Sequence, residues 1–134
     1  MALPLPDDGA PVIAIDGEAR TGKGTARQLL IKRLPPGWLS LDSGVLYRLL
    51  ALLGRTRNIL DDPSALATLA QTMEFTMDGD DVIYRGINQI AQVRGSEVGA
   101  LASRIAQFQT VRDALRDKQL SMRRFPGLVT DGRD

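Results

Sequence analysis

The sequence contains neither cysteine nor histidine. The first absence removes disulfides, thiolate metal sites and cysteine nucleophiles. The second removes Ser-His-Asp and Cys-His mechanisms and the commonest zinc ligand. Any chemistry must therefore run on lysine, arginine, carboxylates and hydroxyls. A surplus of charge is missing too: 17 Lys and Arg stand against 16 Asp and Glu, a net charge of +1. Such a balance offers no broad attraction to a nucleic acid polymer or an anionic membrane, so anion binding has to come from local basic groups. Nowhere is there a run of about eighteen apolar residues. The opening residues 1–11 lack the basic stretch followed by an apolar run that marks a leader. A cytoplasmic, soluble protein is the expectation, with 134 residues suited to a single core.

What is present alternates between strand and helix. Residues 1–9 hold two prolines and read as a mobile lead-in. Residues 11–16 (PVIAID) form a short β-branched run closed by Gly17, which predicts a buried parallel strand. Ala26, Leu29, Leu30 and Leu34 then recur at helical spacing until Pro35 and Pro36 stop them. Residues 38–41 predict a second strand. Val45, Leu46, Leu49, Leu50 and Leu53 line a second helix ending at Gly54. The character changes over residues 55–95, which read as an insertion: Asp62 before Pro63 starts a short helix, and residues 74–85 alternate like a hairpin across Asp78-Gly79. Ser96 caps a further helix with Val98, Leu101, Ala102 and Ile105 inward, and another covers residues 110–124 with Val111, Leu115 and Met122 inward. Pro126 and Gly127 end it, and residues 128–130 begin a third core strand. Such alternation predicts an α/β fold around a parallel sheet.

The segment Gly17-Glu18-Ala19-Arg20-Thr21-Gly22-Lys23-Gly24-Thr25 fits G-x-x-x-x-G-K, between a predicted strand and a predicted helix. In that context backbone N–H groups and the positive helix end surround phosphates, while Lys23 follows the β and γ oxygens. Glycine at 17 and 22 allows the close backbone approach. The bland alternative is an ordinary glycine-rich turn with a surface lysine. Two features stand out: the hydroxyl falls at Thr25, one place after Gly24, and Glu18 with Arg20 sit inside the loop. A carboxylate there repels phosphate unless it points to solvent or pairs with Arg20. The second landmark, residues 41–48 (LDSGVLYR), joins a strand end to a helix start, another anion site. Arg48 lies one turn in, suited to a bidentate grip on phosphate, with the Ser43 hydroxyl as a further donor. On its own this stretch reads equally as a capped helix with a solvated arginine.

The succession IDGEARTGKGT, LDSGVLYR, a β-containing insertion, ASRIAQFQTVRDAL and GLVTDGRD resembles bacterial cytidylate kinase of the P-loop nucleoside monophosphate kinases, over residues 11–134. The phosphate loop marks only the superfamily; DSG-x-x-YR, DGRD and the insertion narrow it. The resemblance implies a P-loop kinase core in residues 1–54 and 96–134, and an inserted monophosphate-binding subdomain in residues 55–95. It implies that Gly17, Thr21, Gly22, Lys23, Gly24 and Thr25 hold the phosphates of ATP. Arg48 and Arg133 would hold the acceptor phosphate beside Ser43, with Lys23, Arg48 and Arg133 serving the transfer. Ser103, Arg112 and Asp134 would surround the cytosine. The chemistry agrees with that last assignment, because a carboxylate accepts from the exocyclic amine of cytosine and repels the carbonyl that uracil has there. Asp131, at the end of a core strand, is the candidate for holding Mg²⁺ through water, or else a simple turn aspartate. The implied partners are ATP and CMP or dCMP.

Alternatives stay open: a nucleotide-binding fragment or pseudoenzyme without activity, or a small-molecule kinase for another acceptor. Members of the resembled family run considerably further, through later core strands and an arginine-bearing lid that acts on the transferring phosphoryl group. The expectation for this chain alone is therefore poor turnover. The family's strand order puts the third core strand between the second and the first, which leaves residues 11–16 at an exposed edge that invites pairing with another chain. Residues 1–134 alone are accordingly predicted to self-associate or to be unstable. Sedimentation velocity checks this, and a stable, monodisperse monomer is the contrary result.

Overall fold

A computed structural model describes residues 10–15, 23–78, 81–122 and 127–130. In chain order its elements are β1 (Val12–Ala14), α1 (Lys23–Arg33), β2 (Leu39–Leu41), α2 (Ser43–Thr56), α3 (Pro63–Thr72), β3 (Phe75–Asp78), β4 (Asp81–Tyr84), β5 (Ile87–Asn88), α4 (Ile90–Val93), α5 (Ser96–Ile105), α6 (Gln109–Ser121) and β6 (Leu128–Thr130). Two compact units result: residues 1–43 with 119–134, and residues 44–118.

The first unit holds a parallel sheet of order β1-β6-β2. The last strand in sequence is therefore the central one, as the resemblance implied. Its residues Leu128, Val129 and Thr130 are all buried, which suits an apolar β-branched run flanked on both edges. The register aligns Ala14, Thr130 and Leu41 across the three strands. Backbone bonds extend the pairing by one step at each end: Leu128 N donates to Pro11 O at 2.9 Å, Leu39 N to Gly127 O at 3.0 Å, and Ile15 N to Thr130 O at 2.7 Å. The side chain of Thr130 adds a tether, its hydroxyl donating to Gln119 Oε1 at 3.1 Å, with both residues buried. Three core strands were legible: β1 covers the middle of residues 11–16, β2 all but the first of residues 38–41, and β6 the whole of residues 128–130.

Helix α1 forms where expected, yet the stripe assigned to it does not all point inward. Ala26 and Leu29 are exposed, Leu30 and Leu34 are half-buried, and the buried residue is Arg27. A polar side chain took a core-facing position because it finds partners there.

In the second unit, α2 runs past Gly54 to Thr56. The left-handed residue that ends it is Asn58, at φ 57°, and Ile59 N closes the turn on Gly54 O at 2.9 Å. Gly54 has a different use: a Cβ there would stand 2.8 Å from Leu66 Cδ2, so its bareness lets α3 pack against α2. Helix α3 starts as read, with Pro63 at its first position and the Asp62 side chain accepting from Ala65 N at 3.1 Å. Strands β3 and β4 pair from Phe75↔Tyr84 to Asp78↔Asp81, the expected hairpin. Strand β5 and the short α4 were not expected. Arg85 and Gly86, at φ 52° and 78°, make the tight turn that pairs Tyr84 with Ile87.

Helix α5 is capped by Gly95 through backbone alone, and Ser96 is its first helical residue rather than its cap. Burial of Val98, Ala102 and Ile105 holds it in place. Helix α6 begins one residue earlier than expected and ends at Ser121, with Val111 and Leu115 buried. The proposed lead-in over residues 1–9 lies outside the described residues.

Gly127 gives the sheet its closest tolerance, since a Cβ there would lie 2.2 Å from Trp38 Cζ3 and 2.4 Å from Cη2. The rigid indole has no alternative but to move. Gly127→Ala should destabilise the protein by about 1–3 kcal/mol in urea unfolding, and pairing it with Trp38→Leu should recover much of the loss. Additive effects would separate the two residues.

Candidate functional site

Strand β1 and helix α1 flank the glycine-rich segment as its mechanism requires. The parallel sheet carries β1 through Ala14, and Lys23 is the first residue of α1. Gly24 and Thr25 belong to the first turn of that helix, and Thr25 is exposed. Gly17, Thr21 and Gly22, together with Glu18 and Arg20, lie outside the described residues, as do Asp131, Arg133 and Asp134. These last three come directly after β6, whose end at Thr130 lies level with the end of β1. In open α/β sheets ligands sit at the carboxyl ends of the strands, which is where both segments depart.

The acceptor-side segment leaves the same sheet from β2. Leu41 is fully buried, Asp42 is half-exposed, and the buried Ser43 opens α2. Asp42 faces the guanidinium of Arg27, whose Nη2 lies 3.9 Å from Asp42 Oδ2, while Arg27 Nη1 donates to Ser40 Oγ at 2.5 Å. No sequence signal marked Arg27, which reads as one polar residue among leucines.

In the second unit, Arg48 lies over the backbone of α5. Its guanidinium covers Gly99, where an added Cβ would stand 3.4 Å from Arg48 Nη2 and 3.8 Å from Cζ and Nε. Gly99 and Ser103 are four residues apart on α5 and so share a helical face. Ser103 is exposed. Arg112 is engaged elsewhere: Nη1 donates to Ala106 O at 2.6 Å and Gln107 O at 3.0 Å, and Nη2 donates to Gln109 Oε1. It thus satisfies carbonyls at the end of α5, the usual service of an arginine at a helix C-terminus. These bonds use three of its five N–H donors, so Nε–H and the second Nη2–H stand outside them. Tyr47, the neighbour of Arg48, has its phenol pKa raised above 10.0, chiefly by burial; Arg112 acts to lower it and Asp113 to raise it. The neutral phenol is the form the fold favours.

Among the described residues no group of three or more carboxylates stands ready for a metal ion, and no helix is long and apolar enough to cross a membrane. Ion pairs away from the sheet, Arg104 with Asp61 and Arg55 with Glu97 at 3.4 Å, are largely exposed and contribute little to stability.

A parallel sheet with a glycine-rich strand-to-helix crossing at its carboxyl end defines an α/β protein of the P-loop type. The cytidylate kinase family model matches residues 13–134, and the chain belongs to that family. It is 44% identical over 135 residues to a cytidylate kinase of Bordetella bronchiseptica, covering all of this chain and 60% of that protein. It is 46% identical over 132 residues to one of Methylococcus capsulatus, covering 95% of this chain and 58% of the relative. For one of Aeromonas salmonicida the identity is 44% over 130 residues, covering 93% and 56%. The chain therefore spans about 60% of the length of such relatives.

Tyr47 yields a pH prediction. Its folded pKa lies above the unfolded value, so the stability tied to the neutral phenol is complete below pH 10 and is lost as pH rises through the folded pKa. The urea midpoint of the parent should fall more steeply above pH 10 than that of Tyr47→Phe. Parallel curves for the two proteins would contradict this.

Proposed function

We propose that this chain carries the phosphate loop and the acceptor side of a cytoplasmic, ATP-dependent cytidylate kinase that converts CMP or dCMP to CDP or dCDP. The family match across residues 13–134 is the observation that carries the reading. The sheet supports it, because β1, β2 and β6 end level with one another and are the strands that precede the glycine-rich, DSG and DGRD segments in sequence.

The roles derive from charge and reach. Backbone N–H groups from Gly17 to Thr25 cradle the ATP phosphates, with Lys23 on the β and γ oxygens. Arg48 and Arg133 hold the acceptor phosphate with Ser43, and Ser103, Arg112 and Asp134 read the cytosine. An oxygen of the acceptor phosphate attacks the γ-phosphorus in line. A new P–O bond forms as the bond to the β-phosphate oxygen breaks, and ADP leaves. The monophosphate is already a competent nucleophile, so positioning and neutralisation by Lys23, Arg48 and Arg133 supply the acceleration. Magnesium bound with ATP would neutralise charge on the β and γ oxygens, and it needs few protein ligands. Asp131, next in sequence after the paired Thr130, is the candidate for holding it through water.

The test is ADP formation with Mg-ATP and CMP, dCMP, UMP or AMP as acceptor, alongside calorimetric titration of each monophosphate. CMP and dCMP should be preferred over UMP by tenfold or more. Lys23→Ala should lower turnover by about 10² or more, and Arg48→Met should weaken CMP binding about tenfold or more. Preference for AMP or UMP, in turnover or in binding, would overturn the cytosine assignment.

A further inference from the structure

Arg27 is 4% exposed, yet it stands on α1 one turn beyond Lys23 and no step of the proposed transfer uses it. Burying a guanidinium is costly, and a well-packed apolar side chain of similar volume is often as stable or more so in such a place. What the guanidinium adds is a connection. Nη1 donates to Ser40 Oγ at 2.5 Å, in β2, and Nη2 faces Asp42 Oδ2 at 3.9 Å, immediately before Ser43. One side chain thus spans from the helix that leaves the phosphate loop to the last residues of the acceptor strand.

We infer that Arg27 is a positioning residue that fixes residues 40–43 against α1, and so sets Ser43, a proposed donor to the acceptor phosphate, relative to the phosphate loop. The planar fork suits this task better than a lysine would, because it reaches a hydroxyl and a carboxylate at once. Burial of the guanidinium shields its bond to Ser40 from water, while the Asp42 carboxylate that it faces is 37% exposed. The ligand side of the inference rests on the cytidylate kinase reading; the geometric side does not.

The test compares Arg27→Met and Ser40→Ala with the parent in the full-length protein. Three quantities are measured: CMP and Mg-ATP affinity by calorimetry, amide hydrogen exchange, and thermal stability. Arg27→Met should raise the Kd for CMP about tenfold and leave that for Mg-ATP within about twofold. It should speed exchange at Asp42 and Ser43 about tenfold while Leu128, Val129 and Thr130 stay unchanged. Thermal stability should hold or rise, as expected when a buried charge gives way to a side chain that fills the space. Ser40→Ala, which retains the charge and deletes one bond, should move CMP affinity and exchange in the same direction by less, and it serves alone if Arg27→Met does not fold. Unchanged exchange at Asp42 and Ser43 would overturn the inference. So would a uniform rise in exchange with equal losses for both ligands, the mark of a merely structural residue. A parent that binds Mg-ATP but not CMP would instead refute the functional reading, and the exchange result would still decide whether Arg27 holds this segment.

Discussion

Everything in the first unit depends on β6 seating between β1 and β2. Neither outer strand pairs with the other, so the alignment of Ala14 with Leu41 exists only through Thr130. That alignment brings the carboxyl ends of the three strands level, and in sequence these ends are followed by the glycine-rich segment after β1, Asp42-Ser43 after β2, and Asp131-Gly132-Arg133-Asp134 after β6. The central strand is secured from several sides: its backbone on both edges, the Thr130 hydroxyl on Gln119, and the indole of Trp38 against the bare Cα of Gly127. A register shift of one residue would turn every side chain of β6 to the opposite face and displace the DGRD segment along with it.

The second unit uses a different economy, in which bare backbone makes room for function and packing. Gly54 admits Leu66 between α2 and α3, and Gly99 provides the flat surface on which Arg48 lies. An arginine lying on backbone is held in a narrower range of orientations than one in solvent, which would lessen the entropy lost if it takes the anion-binding role proposed for it. Arg112 is the counterexample. Three of its five N–H donors already serve Ala106, Gln107 and Gln109, so it is anchored by hydrogen bonds rather than by lying on bare backbone.

The sequence made the architecture readable because short β-branched runs, helical stripes and punctuating Gly and Pro agreed with one another along most of the chain. Asp62-Pro63 announced α3 through capping chemistry, and the apolar stripes of α5 and α6 named the buried Val98, Ala102, Ile105, Val111 and Leu115, although Leu101 and Met122, also expected inward, are only half-buried and Met122 lies past the end of α6. Misreadings arose where a residue had two physical uses. Gly54 looked like a helix end and is a packing contact, while the true terminator is Asn58. Ser96 looked like a cap, although the extended backbone of Gly95 sufficed. Arg27 was invisible because its burial depends on Ser40 and Asp42, partners that only the packing of α1 on β2 brings near. The two-residue strand β5 was too short to show a period, and its turn relies on Arg85, a residue type that does not advertise a left-handed conformation. Of the candidate site, Arg48 and Ser103 could be traced into one unit, Ser43 into the other, and the order of motifs explains why each was singled out.

The central position of the last strand also sets an order of events during synthesis. The hairpin and helices of residues 44–118 make their contacts within a continuous stretch of chain, and such contacts form early. Strands β1 and β2 leave the ribosome first but have no partner in this sheet until residues 128–130 emerge. The glycine-rich segment therefore has no completed sheet before it until residues 128–130 have emerged, so nucleotide binding should follow their arrival. The single tryptophan, resting on Gly127 beside the arriving strand, is placed to report that moment by its fluorescence.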